Sequence, residues 1–260
     1  MLSNRLKLNA DKTELIWFGT RQNLKKLSLE HINLGHCSIK LSSGVRILGV
    51  LFDSELNFNS QVSSVVKSCF FQLLQLRTIR RFLTVDAAKT LVNAFVCSRV
   101  DYCNSIYLGL SVTNHKRLQS IINSAARLIT KRSRYDHISN ELRSLHWLLV
   151  PHRSLYKVAC IIRRSLQGKG TEYLSNHLTP VSSSTSRFHL RSASRGDLMV
   201  PRSRSVRAGE SSFRVIGPRT WNSLPLSVRE LQQSDSTFAK GLKTYLFSQC
   251  YANQAPLRLC

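Results

Sequence analysis

Apolar residues recur along this chain with two periods, a short one near the N-terminus and a helical one beyond it. Leu15-Ile16-Trp17-Phe18 and Ile47 to Phe52 are two short apolar, β-prone runs, with Gly19 and Ser42-Ser43-Gly44 as turns. Two such strands bury too little apolar surface to make a stable sheet alone. They predict support from the following helices or from a sheet outside this chain, with one edge unpaired and Leu15, Trp17, Ile47 and Val50 lacking partners on one face. From Phe58 to about Ile129 the pattern turns helical. Val62, Val65, Val66, Cys69, Leu73, Leu76 and Ile79 form one stripe that ends in the basic cluster Arg77, Arg80 and Arg81. Thr84 or Asp86 is the expected cap of a second helix, whose stripe is Leu91, Ala94, Phe95 and Ser98. Thr113 or Asn114 is the expected cap of a third, carrying Leu118, Ile121, Ile122, Ala125 and Leu128. Three antiparallel helices joined by short turns make a small bundle.

Asp136 to Leu166 reads as two further helices separated at Val150-Pro151, with Pro151 placed as a helix-start residue. His146 and Trp147 precede that break. They could form an aromatic stacker beside a proton carrier, but such a Trp is more often a core anchor with its N–H bonded nearby. Between Pro180 and Arg207 the periodicity is lost apart from Leu198-Met199-Val200. Ser182 to Ser186 is hydroxyl-rich, and Arg187, Arg191, Arg195, Arg202, Arg204 and Arg207 are opposed only by Asp197. This predicts a loop or extended arm, either merely solvated or wrapped along a phosphate backbone. The tail, Ser212 to Tyr251, predicts short helices broken at Gly217-Pro218 and Leu224-Pro225. Ser234 or Asp235 caps the last one, whose core face is Phe238, Leu242, Tyr245 and Leu246.

Composition then narrows the partner. Thirty-eight Lys plus Arg stand against 14 Asp plus Glu in 260 residues, a net charge of +24, with a pI near 10.5. With 42% hydrophobic residues the chain can bury a core and is not a disordered basic tail. An excess of this size favours a polyanion, because neutralised phosphates release condensed counterions. Arg exceeds Lys in the second half, and its fork matches phosphate geometry. No apolar run approaches the roughly 20 residues that span a bilayer. The N-terminus lacks a signal h-region, and Asp11 and Glu14 argue against a transit peptide. An intracellular protein of the nucleus or cytoplasm, not a secreted one, is expected.

The chemistry-bearing patterns are mostly negative. Cys37, Cys69, Cys97, Cys103, Cys160, Cys250 and Cys260 are scattered, with no Cys-x-x-Cys pair and no zinc-ligand quartet, so buried reduced thiols are expected. There is no glycine-rich phosphate loop, nucleophile elbow or kinase set. Asp11, Asp53, Asp86, Asp101, Asp136, Asp197 and Asp235 are isolated from one another. Nucleotidyl transfer by two divalent ions would need clustered carboxylates, so no metal site is expected, and Asp53 and Asp101 read as structural.

The order of motifs carries a family resemblance. "NRLKLNADKTE…FG" from Asn4 and "VRILGVLFD" from Val45 are followed by "FVCSRVDYCNSIYLGL", "LQSIINSAARLIT", "LRSLHWLLVPHRSLYK", "GPRTWNSLPLSVRE" and "FAKGLKTYLF". In order and spacing, from about Leu2 to Tyr251, they resemble the end of the palm, the thumb and the C-terminal tail of LINE-type non-LTR retrotransposon reverse transcriptases. The resemblance implies an α+β, mostly α chain: a small β-hairpin remnant of a polymerase palm, a helical thumb bundle, and a helical and loop tail. The expected segments are 1–56 (palm remnant), 57–132 (thumb), 133–179 (further helices), 180–211 (Ser/Arg-rich arm) and 212–260 (tail). It also implies that the motifs bearing the catalytic aspartates lie upstream of Met1, as in a 5′-truncated element. The chain alone would then be no enzyme, with no cofactor, although the full-length family enzyme needs Mg. Lys12, or less favourably Lys7, falls where related polymerases place a proton donor to pyrophosphate. Leu48 and Gly49 fall in the primer grip, and Arg77, Arg80 and Arg81 would track duplex phosphates. With the loop residues Arg187, Arg191, Arg195, Arg202 and Arg204, these are the expected nucleic-acid contacts. The expected partners are RNA and DNA, then a protein at the exposed strand edge, with no membrane and no small-molecule substrate. The alternative is a recruited structural or protein-interaction module that retains the thumb fold.

Overall fold

Residues 9, 12–34, 37–183, 191–203, 205, 209–230 and 233–252 are described by a computed structural model of the chain. It is α+β and mostly helical. Two compact units, 1–65 and 66–260, meet within a continuous helix, so the segments expected beyond 66 share one unit.

The first unit contains β1 (Leu15–Ile16), α1 (Arg21–Lys25), β2 (His31–Leu34), β3 (Cys37–Ser42), β4 (Gly44–Ile47) and β5 (Val50–Asp53). One sheet has the order β1-β3-β2, with β1 parallel and β2 antiparallel to β3; β4 and β5 form a separate antiparallel pair. The single strand expected over Ile47 to Phe52 is therefore a hairpin. Ile47 pairs with Val50, and the two linking residues have positive φ, 48° at Leu48 and 84° at Gly49. A two-residue turn with φ positive at both positions matches the right-handed twist of its strands. Gly49 adopts it freely, whereas Leu48 pays for its Cβ. Val45 and Val50 are buried, so Val50 does not lack a partner face as expected; Trp17, Phe18, Ile47 and Leu48 are exposed. The β2–β3 hairpin was not expected. Its signal was the alternation of Ile32 and Leu34 with Ile39 and Leu41.

Helix α2 (Asn59–Ile79) begins where Asp53 closes the approach. The Asp53 carboxylate accepts from the amides of Asn57 (3.0 Å) and Phe58 (2.7 Å), and Gln61 Oε1 accepts from Leu51 N–H (2.9 Å). Asp53 is thus structural. Val62, Cys69, Leu73 and Leu76 are buried along the expected stripe, but Ile79 is exposed.

In the second unit α3 (Val85–Val92), a π turn (Asn93–Cys97) and α4 (Ser98–Asp101) run as one helical segment. Thr84 Oγ1 caps it by accepting from Ala87 N–H at 3.2 Å. Its buried stripe is Ala88, Val92, Val96, Cys97 and Val100, while Phe95 is exposed. This corrects the expected Leu91–Phe95 stripe. A π turn absorbs an extra residue, so positions four apart stay on one face. After a 3₁₀ segment (Asn104–Gly109) comes α5 (Val112–Thr130), the central helix, with Leu118, Ile121, Ile122, Ala125, Ala126 and Ile129 fully buried. Its cap is Ser111, whose hydroxyl accepts from Asn114 N–H at 3.3 Å, rather than Thr113 or Asn114. Those two residues already lie inside the first turn.

Then follow α6 (Ser139–Ser144), α7 (Val150–Leu166), α8 (Glu172–Ser175), α9 (Arg191–Ser194), α10 (Phe213–Ser223), α11 (Leu226–Arg229) and α12 (Asp235–Ala252). Helix α7 starts at the expected Val150-Pro151, and its unpaired first amide is met by Gln119 of α5, whose Oε1 accepts from Val150 N–H at 2.9 Å. Trp147 is buried, as expected of an anchor. Val158, Ala159 and Ile162 of α7 join Trp221 and Leu224 with Phe238, Leu242 and Leu246 of α12 in one apolar cluster. Pro218 lies inside α10 instead of breaking it; burial of Val215 and Trp221 on either side outweighs the lost helical hydrogen bond. Leu224-Pro225 does separate α10 from α11.

Part of the expected arm is docked. Leu198 is buried, and its amide and carbonyl are both bonded by the Asn222 side chain, at 2.8 and 2.9 Å. Trp221 Nε1–H donates to Gly196 O at 3.2 Å. Asp197 pairs with Arg229 of α11, at 2.6 Å, and among the described residues with no neighbouring loop arginine.

Candidate nucleic-acid interface

A groove of about 670 Å³ runs between α2 and α5 in the second unit. Helical spacing builds both of its walls. On α2, Phe70, Leu73, Leu74 and Arg77 recur three and four residues apart. On α5, Ser120, Asn123, Ser124, Arg127 and Leu128 do the same, and Lys131, Arg132 and Arg134 follow past the helix end. Among the described residues no Asp or Glu lines the groove.

Its cations are not equivalent. Arg80 is only 7% exposed. Its Nε–H donates to Leu128 O (2.8 Å), one Nη to Ile129 O (2.7 Å) and the other to Leu83 O (2.8 Å). It thus satisfies the terminal carbonyls of α5, where a positive charge also meets the negative end of the helix dipole. The expectation that Arg80 tracks phosphates is therefore corrected: its donors already have acceptors. Arg132 is held by Glu141 at 2.7 Å, and Arg127 donates once, to Asp136 O at 3.1 Å. Arg77, Lys131 and Arg134 form no ion pair among the described residues.

Glu141 is thus the one carboxylate paired with a groove-lining cation among the described residues, and other carboxylates pair with cations outside the groove. Asp101 holds Arg153 at 2.7 Å, Asp235 holds Lys169 at 3.4 Å and lies 3.6 Å from Arg163, and Glu210 pairs with Arg219. Among the described residues no cluster of three or more His, Cys, Asp or Glu could hold a metal ion.

The other expected contacts do not converge on the groove. Arg81 is exposed at the end of α2, with its guanidinium 4.6 Å from the exposed ring of Phe82. Lys12, Leu48 and Gly49 belong to the first unit, Lys12 exposed and Leu48 85% exposed at the hairpin tip. Arg191, Arg195 and Arg202 are exposed in the partly docked loop. Lys7, Arg187 and Arg204 lie outside the described residues. The structure adds Arg127, Lys131, Arg132 and Arg134, which sequence reasoning passed over. Their signal was the run Arg127-Leu-Ile-Thr-Lys-Arg-Ser-Arg134 directly after an apolar stripe.

Cys69, Cys97, Cys103, Cys160 and Cys250 are unbridged, with Cys69 and Cys97 buried and Cys103 exposed. Burial pushes the Cys69 and Cys97 thiols up to about 11, so neither is a nucleophile near neutral pH. No helix among the described residues is long and apolar enough to cross a membrane. No family model, curated protein or solved structure matches the chain.

Proposed function

We propose that this chain is the C-terminal part of a LINE-type reverse transcriptase, comprising the end of the palm, the thumb and the tail. In this reading it binds RNA or DNA through phosphates and performs no nucleotidyl transfer itself. The α2/α5 groove carries the reading: cations line it, no carboxylate does, and hydroxyls and an amide sit beside them as phosphate donors. The motif order supports the family assignment, and the isolated aspartates support a binding role without chemistry.

The test is a salt titration of binding to an RNA–DNA hybrid. If Arg77, Arg127, Lys131 and Arg134 each meet a phosphate, log affinity should fall against log salt with a slope of about −3 to −4. Replacing Arg77, Lys131 and Arg134 by Ala should flatten that slope by roughly 0.9 per residue, alike for all sequences. A salt-independent affinity would make the charge a solvated surface.

A second reading, a recruited protein-interaction module, is favoured by the exposed Trp17, Phe18, Ile47 and Leu48 of the first unit. Exposed apolar side chains of this kind suit a partner chain. Undiminished affinity for nucleic acid in a Trp17→Ser, Ile47→Ser variant would separate this surface from the groove.

A further inference from the structure

We infer that the groove, given the nucleic-acid reading on which this rests, takes an unpaired strand and discriminates against duplex, seating bases on Phe70 and Leu74. The two walls differ in chemistry. On α2, Phe70 is 40% exposed and Leu74 58% exposed, and both open into the groove. Leu73, one turn from Arg77, is buried against the bundle, so this apolar wall is not merely a misplaced core stripe. On α5 the facing positions are Ser120, Asn123 and Ser124. Asn123 is oriented by Gln119, whose Nε2–H donates to Asn123 Oδ1 at 2.8 Å while Gln119 Oε1 accepts from the α7 amide. The rigid start of α7 therefore fixes which way the amide faces.

A double helix would gain from the cations but nothing from the phenyl wall. Its base faces are stacked inside, and it presents only edges and phosphates to a side chain. An unpaired base offers its π-face, and stacking on an aromatic side chain strengthens binding roughly tenfold per base regardless of sequence. The volume, about 670 Å³, is that of a small-ligand pocket and accommodates a few nucleotides of a strand. The strand would lie with bases toward α2 and its backbone along Ser120, Asn123 and Ser124. Its phosphates would reach Arg77 on one side and Arg127, Lys131 and Arg134 at the end of α5.

The experiment compares, on the full chain, a labelled 12-nucleotide oligo-dT with a DNA hairpin of equal phosphate number, by fluorescence anisotropy at 100 mM KCl. The single strand should bind about tenfold tighter. Phe70→Ala with Leu74→Ala should abolish that advantage, bringing oligo-dT affinity down to that of the hairpin. Since those variants could loosen the bundle, Phe70→Trp is the companion: its indole fluorescence should quench on oligo-dT and not on the hairpin. Equal binding of both ligands with no quenching would overturn the stacking inference while leaving the phosphate-binding reading intact. No binding of either at 50 mM salt would remove both. Poly-glutamate displacing oligo-dT at equal charge concentration would also overturn the inference, since an acidic peptide offers no base to stack.

Discussion

Arginine does opposite things on the two sides of the second unit. In the α2/α5 groove Arg77 and Arg134 stand without a carboxylate partner, beside Lys131. On α7, Arg163 is fully buried against the apolar cluster shared with α12 and donates to the carbonyls of Glu230 and Gln233, its guanidinium 4.6 Å from the ring of Phe238. Arg229 is paired with Asp197 at 2.6 Å, their side chains only 4% and 13% exposed. A charge buried without its partner is strongly unfavourable, so a folded core recruits acids to its arginines. The groove's Arg77, Lys131 and Arg134 are exposed and under no such demand; the nucleic-acid reading proposed above is what assigns them a partner. The net charge of +24 cannot make that distinction; the placement of the few carboxylates does.

The largest effect should come from breaking the tail's pair. Arg229→Ala leaves the half-buried Asp197 unpaired and should cost about 2–4 kcal/mol of stability, read from the urea midpoint. Asp197→Ala should be comparably harmful. A shift under about 1 kcal/mol for both would show that these charges are solvated and remove one side of the comparison. Because neither residue lies in the groove, nucleic-acid affinity of the folded protein should not change.

How much of this was legible in the sequence follows the same division. The stripes of α5 and of Phe238, Leu242 and Leu246 were readable because helical period and burial coincide there. Three features were not. The π turn shifted a stripe, positive φ at Leu48 turned one apolar run into a hairpin, and burial held Pro218 inside α10. Each is a case of packing overriding local preference. The groove was half legible. Arg77 was named, but the basic run at the end of α5 reads as an ordinary helix terminus until folding sets it opposite Phe70 and Leu74. Arg80, Arg163 and Arg229 look in sequence like any basic residue, and only their carbonyl and carboxylate partners make them structural.

An intermediate effect should appear on acidification, because His115 and His152 are buried. Burial lowers both pKa values, although the carbonyls of Tyr107 and Ser111 pull His115 partly back. The unfolded chain takes up these protons near pH 6.5, while the folded chain resists them. The unfolded state then binds more protons, so stability is undiminished above that value and falls as pH drops below it. The loss levels off only below the folded pKa values. The urea midpoint should therefore fall between pH 7.5 and pH 5.5, and His152→Gln should flatten the fall. A midpoint unchanged to pH 5.5 would mean that both histidines are freely protonated in the fold.

The smallest effect on stability should be in the groove itself, and its smallness is the point. Arg77→Ala and Arg134→Ala remove charges that no carboxylate matches, so each should change stability by no more than about 0.5 kcal/mol. Two terms compete in the sign. A cation near a helix C-terminus gains from the dipole, but Arg80 already answers the carbonyls of Leu128 and Ile129. What remains is repulsion among Arg77, Arg127, Lys131 and Arg134, which salt screens over about 10 Å at 0.1 M. The double variant should therefore be slightly more stable than the parent at 20 mM salt, and the difference should vanish by 500 mM. Binding should weaken while stability holds or rises, the signature of charge kept for a ligand at the fold's expense. If the variant instead lost more than about 1 kcal/mol at every salt concentration, these arginines would belong with Arg163 and Arg229, and the groove would be part of the scaffold.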